Sequence, residues 1–165
     1  MGKIAFVFPG QGAQVVGMGQ NVYENSAVAK DVFEQASKAV DLDLKALCFE
    51  ENNDINITEF TQVCLLTTSV AIMEELKTRG VKADVAAGLS LGEYTAHIAS
   101  GSMEFADGVR LVKKRGKYMQ EEVPVGKGAM AAIIALSAED VIACCEEASK
   151  VGICSPANFN CPGQI

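Results

Sequence analysis

One stretch constrains this chain more than any other: "VAAGLSLGEYTAHIASG", residues 85–101. An apolar run ends at Gly88, Ser90 stands between Gly88 and Gly92, and a segment with helical spacing follows. G-x-S-x-G between a strand and a helix makes a sharp turn, because glycines remove the Cβ atoms that would clash there. The serine projects from such a turn. The helix behind it aims its unpaired N–H groups and positive dipole end at the same place. The backbone N–H of Leu91 is then expected where a developing oxyanion would form. The competing reading is a tight turn with a structural serine.

A serine nucleophile needs a base, and the chain has one histidine, His97. On a helix, His97 returns to nearly the same face as Ser90, but its Cα lies roughly 10 Å further along. Imidazole is too short to span that gap to hydrogen-bond distance. His97 also sits in the apolar stretch "TAHIA". It is therefore expected to be a packed core or helix-face residue and not the base.

A second glycine-rich piece, "FPGQGAQ" at 8–14, follows the apolar stretch "KIAFVF" at 3–8. In a parallel sheet, both loops open at the carboxyl edge, where open α/β sheets bind ligands. Gln11, flanked by Gly10 and Gly12, is placed to offer a backbone N–H opposite that of Leu91. An ordinary strand-to-helix loop accounts for the same residues.

Composition excludes several function classes. The formal charge is −7, so the overall field does not favour nucleic acid. No run approaches the ~20 apolar residues of a membrane span. No signal-peptide pattern follows the first strand, so a cytosolic protein is expected. Six cysteines lie at 48, 64, 144, 145, 154 and 161. They form no CxxC pair, and with a single histidine they suggest no metal site. Cys64, Cys144 and Cys154 read as small buried hydrophobes. Arg110, Lys113, Lys114, Arg115 and Lys117 form the one basic concentration, which by itself reads as a solvated helix face.

The spacing predicts helices over 28–40, 58–80, 91–100 and 105–122, with strands at 3–8 and 85–90. Asn56 or Thr58 is the expected cap of the second helix. Phe105, Val109, Val112 and Tyr118 or Met119 are the expected inner stripe of the last. The texture changes after "EEVPVGKG" at 121–128. Beyond it, "AMAAIIAL" reads as a strand, "SAEDVIACCEEASK" as a helix capped by Ser137, and "VGICSPANFN" as a second strand. The expected organisation is a first domain over 1–124 and a second unit over 125–165.

Taken together and in order, "FVFPGQGAQ", "TEFTQVCLLTTSVAI", "GLSLGEYTA", "DGVRLVKKRGKYMQ", "GAMAAII" and "SPANFNCPGQI" resemble one family. It is the malonyl-CoA:acyl carrier protein transacylases of fatty acid synthesis and the related acyltransferase domains of polyketide synthases. The resemblance implies an α/β fold: a parallel-sheet large domain with a nucleophile elbow, plus part of a small ferredoxin-like α+β subdomain. It implies that Ser90 carries the acyl group and that the amides of Gln11 and Leu91 form the oxyanion hole. It implies that Arg115 pairs with the free carboxylate of malonate, a role suited to a planar two-pronged guanidinium. Met119 would line the same pocket, and Gln62, Asn158 and Asn160 match positions close to the active site.

The implied partners are malonyl-CoA and acyl carrier protein, with no cofactor, metal, nucleic acid or membrane. Lys113, Lys114 and Lys117 are candidates for docking the acidic carrier protein. Leu89 stands where the family usually has histidine before the nucleophile, and Cys64 where alanine is common. The family's chains run on further, and the resemblance puts its catalytic histidine beyond Ile165. The chain is thus expected to be the N-terminal part of such an enzyme. Two other readings stay open: a serine esterase or acyltransferase for a neutral acyl group, and a non-catalytic fragment that assembles with a second segment.

Overall fold

The computed structural model describes residues 2–165. These fall into two compact units, dividing between Val125 and Gly126. The chain is an α/β protein with parallel strands.

The first unit begins with β1 (Ala5–Phe8) and passes through α1 (Gln20–Asn25), α2 (Ala27–Val40), α3 (Leu44–Phe49) and α4 (Thr58–Thr78). It continues with β2 (Val85–Gly88), α5 (Gly92–Ala99) and α6 (Phe105–Glu122). β1 and β2 pair in parallel, Ala5 opposite Val85 and Phe8 opposite Gly88. At the start of the ladder, Asp84 accepts from the Ile4 N–H through its carboxylate (2.8 Å) and donates its own N–H to the Ile4 carbonyl (2.8 Å). At the far end, the Leu89 N–H donates to the Phe8 carbonyl (3.0 Å). The two glycine-containing loops therefore leave the sheet side by side, at its carboxyl edge.

α2 has its apolar residues on one side: Ala29, Val32, Phe33, Ala36 and Val40 are buried. Val28, at helical spacing with Val32, is exposed, and Ala29 takes the inward place. Ser26 caps this helix through its hydroxyl and the Ala29 N–H. α4 is buried on several sides, as its apolar middle requires. Neither Asn56 nor Thr58 caps α4 with a side chain; Ile57 occupies that position. The Thr61 hydroxyl instead donates to the carbonyls of Ile55 and Ile57, fastening the entry from inside the helix.

α6 buries Gly108, Val109, Val112 and Gly116. Tyr118 and Met119 do not extend this stripe, being 61 % and 44 % exposed. The inner face follows the 3.6-residue period to Gly116, where α6 comes too close to α4 for a side chain. A Cβ on Gly116 would lie 2.7 Å from Glu59 Cα and 2.8 Å from the Thr58 carbonyl oxygen.

The second unit holds α7 (Ala138–Ala148), capped by Ser137, whose hydroxyl accepts from the Asp140 N–H. Among the described residues, the expected strands at 129–136 and 151–160 do not form. The first carries one isolated antiparallel bridge, Ile134 to Gln164, and the second none. A strand is defined by its neighbour's backbone. Here residues 133–135 pair with the turn at 163–165 instead, Ile133 and Ile165 exchanging N–H···O bonds of 2.8 and 3.1 Å.

Candidate active site

Ser90 occupies the turn between β2 and α5 with φ of 51°. That left-handed backbone is unfavourable for a residue with a Cβ and is held only when its surroundings force it. The flanking glycines supply the force. A Cβ on Gly88 would sit 1.9 Å from the carbonyl carbon of Gly92. One on Gly92 would sit 2.2 Å from the Phe8 carbonyl oxygen. The helix start is thus pressed against both strands, and the chain between has no wider path. The turn is closed by the Gly92 N–H to the Leu89 carbonyl (2.8 Å) and the Glu93 N–H to the Ser90 carbonyl (3.2 Å).

The loop after β1 lies against this turn. A Cβ on Gly10 would meet the Leu89 carbonyl oxygen at 2.8 Å. Within the described residues, the backbone N–H groups of Gln11 and Leu91 donate to no protein acceptor. Unpaired N–H groups on adjoining loops beside a serine can receive a negative oxygen.

Arg115 reaches the same place from α6. Its Nη2 donates to Ser90 Oγ (3.0 Å), and its Nη1 donates to the Gln62 side-chain oxygen. Gln62 is 1 % exposed on α4, and its amide nitrogen donates to the Gln11 side-chain oxygen (3.0 Å). The Gln11 amide nitrogen in turn donates to Thr58 Oγ1 (3.2 Å). One chain of hydrogen bonds therefore joins the elbow, α6, α4 and the first loop. The contact between α6 and α4 at Gly116 sets the distance from Arg115 to Gln62. The Tyr94 ring completes the surroundings, its centroid 5.7 Å from Arg115 Cζ.

Not every residue expected at the site is joined to this network. Met119 follows Arg115 by one turn of α6 and is partly exposed. Asn158 and Asn160 belong to the second unit, where the Asn160 N–H donates to the Gln164 carbonyl (3.1 Å). His97 is held by the Ser102 hydroxyl at its Nδ1 (3.1 Å), with Glu93 3.8 Å from its Nε2. Among the described residues it shares no hydrogen bond with Ser90, as its position on the helix leads one to expect. The Lys113 amine donates to the Val40 carbonyl (2.7 Å), at the end of α2. Tyr94 was not foreseen from the sequence. The available signal was an aromatic four residues after the serine, and so on its face of the helix.

Strand, strained serine turn and helix define an α/β protein with a serine-bearing elbow, and Arg115 meets that serine at its hydroxyl. Residues 5–163 match the model of the acyl transferase domain family, and the chain belongs to that family. It is 45% identical over 167 aligned residues to the malonyl CoA-acyl carrier protein transacylase of Bacillus subtilis (strain 168), covering all of this chain and 53% of the relative. Its fold matches the crystal structure of malonyl CoA-acyl carrier protein transacylase from Clostridium perfringens with a TM-score of 0.89. That match has 48% identity and covers 99% of this chain and 52% of the other. A complex of a type II PKS acyl-carrier protein with its malonyl-transacylase matches with a TM-score of 0.91 and 42% identity, covering 99% of this chain and 53% of that one. The chain spans about half the length of the relatives it matches.

Proposed function

We propose that this chain supplies the nucleophile and the carboxylate clamp of a malonyl-CoA:acyl carrier protein transacylase acting in fatty acid synthesis. The observation that carries the reading is the Arg115 guanidinium seated on Ser90 Oγ. A permanent cation beside the nucleophile suits an acyl group that ends in its own carboxylate. Arg115 Nη1 is committed to Gln62, which leaves Nη2 and Nε to grip that carboxylate side-on. Gln62 serves the substrate through Arg115, and Met119 forms part of the wall beside it.

Catalysis in this reading is two-stage acyl transfer. Ser90 Oγ loses its proton to a base and attacks the malonyl thioester carbonyl. The amides of Gln11 and Leu91 receive the oxyanion. The C–S bond breaks, and the proton passes from the base to the departing CoA thiolate. The phosphopantetheine thiol of acyl carrier protein then attacks the Ser90 ester by the same steps and leaves with the malonyl group. No atom changes oxidation state, so the reaction calls for no redox cofactor. No base touches Ser90 among the described residues. The reading takes it to be a histidine outside residues 1–165, as the family resemblance implies, with the second unit as the first half of a ferredoxin-like subdomain. Malonyl-CoA and acyl carrier protein are the partners, and the cytoplasm is the location.

The test is intact mass after incubation with malonyl-CoA, with and without added imidazole as a replacement base. A malonyl-sized gain that imidazole increases and Ser90→Ala abolishes is expected. No gain at any imidazole concentration would overturn the reading for this chain. A gain of equal extent from acetyl-CoA would shift it to a neutral acyl group.

A further inference from the structure

The Arg115 guanidinium has three neighbours, and only two can stay when a carboxylate binds. Ser90 Oγ must be released, because it is the atom that attacks. Gln62 holds one edge of the guanidinium from α4. The remaining neighbour is the face of Tyr94. Tyr94 lies one helical turn after Ser90, and helical side chains lean back toward the N-terminus, which directs its ring toward the end of α5 where Ser90 lies. Tyr94 is partly buried and packs against the core of the first unit.

We propose that Tyr94 is a positioning residue for carboxylate recognition: its ring holds the Arg115 guanidinium at a fixed place relative to Ser90 once the Ser90 contact is given up. The inference rests on the reading of Arg115 as the malonyl clamp. The attraction of a guanidinium for an aromatic face supplies the hold. Two anchors on different helices fix the plane of the fork, and a two-pronged grip depends on that plane. With Gln62 alone, the guanidinium is free to rotate about one hydrogen bond. It then remains a positive charge but loses its aim. Tyr94 therefore contributes more to a dicarboxylate, which must reach clamp and nucleophile together, than to a simple monocarboxylate.

The experiment titrates the 165-residue chain with malonate and, separately, with acetate, following the Arg115 Nε–H resonance by NMR. Neither probe needs a base or turnover. Tyr94→Leu and Tyr94→Met keep apolar bulk and remove the ring; Tyr94→Phe keeps it. Malonate binding should weaken about 3- to 10-fold in the Leu and Met variants, with acetate affected less and Tyr94→Phe matching the parent. The Nε–H resonance of the free chain should also move in the Leu and Met variants, as the ring's field is lost. Unchanged malonate binding in a folded Leu or Met variant overturns the inference while leaving the clamp intact. Malonate binding that survives Arg115→Ala, or is absent from the parent chain, removes the clamp reading and this inference with it.

Discussion

Arg115 and Ser90, 25 residues apart in sequence, are joined by a hydrogen bond of 3.0 Å from guanidinium to hydroxyl oxygen. The cation thus sits on the hydroxyl of the proposed nucleophile. A ligand carboxylate can draw it away by offering two charge-assisted bonds in exchange for one neutral acceptor. A plain acyl group has nothing to offer it.

Replacing Arg115 separates these two cases. Arg115→Ala should lower malonyl labelling of Ser90 about 100-fold, while acetyl labelling is unchanged or rises. Arg115→Lys should fall between, because it keeps the charge and loses the fork. Parallel acylation rates with malonyl-CoA and acetyl-CoA, imidazole present, make the comparison. Equal loss of both would argue for a general structural role.

The close approach at Gly92 leads to a stability prediction. A methyl group there meets the Phe8 carbonyl oxygen at 2.2 Å, and backbone on both sides prevents an easy retreat. Gly92→Ala should cost about 3–5 kcal/mol. The same change at Gly152, where nothing lies within 4 Å, should stay within about 0.5 kcal/mol. Urea denaturation followed by circular dichroism would measure the difference.

Glu75 gives a pH dependence with a definite sign. The Ser26 hydroxyl and then the Arg79 guanidinium hold its carboxyl below the usual 4.5. The ionised form is favoured by folding, so its contribution is fully present above the unfolded pKa and fades as pH falls through the lower folded value. The melting temperature of Glu75→Gln should lie below that of the parent at neutral pH. The gap should narrow in acid below the usual carboxylate range. A gap that widened in acid would contradict the assignment.

The thiols divide by location. Cys48 and Cys64 are buried, and the contact with Cys48, together with burial, pushes the Cys64 thiol well up. Cys144 and Cys154, which their apolar surroundings in the sequence suggested were buried, are exposed, as is Cys161. A colorimetric thiol reagent should modify those three in the native chain and reach Cys48 and Cys64 only after denaturation. Peptide mapping identifies the sites.

Much of the fold was legible where a pattern repeats over many residues. α2 and α6 announce themselves by spacing, and α4 by its unbroken apolar middle. The serine turn was legible because glycine at both flanks answers a local steric need. The placement of Arg115 was not legible from pattern alone: a cation on a basic helix face looks like its solvated neighbours until α4 brings Gln62 beside it. Lys113 likewise reads as free charge, yet its amine is hydrogen-bonded to the end of α2. Gly116 broke the expected stripe because helix approach, not side-chain size, decides that contact. The stretches at 129–136 and 151–160 have strand-like composition, but strand formation depends on a neighbouring backbone that composition does not reveal.

The left-handed backbone at Ser90 sets two demands on one residue against each other. Glycine adopts that conformation without strain, so Ser90→Gly removes about 1 kcal/mol of local discomfort together with the only hydroxyl at the turn. A screen that rewards heat resistance alone would therefore be expected to discard the proposed nucleophile. In that reading, position 90 is where tolerance of heat and capacity for chemistry pull in opposite directions, and the serine there marks which of the two has been kept.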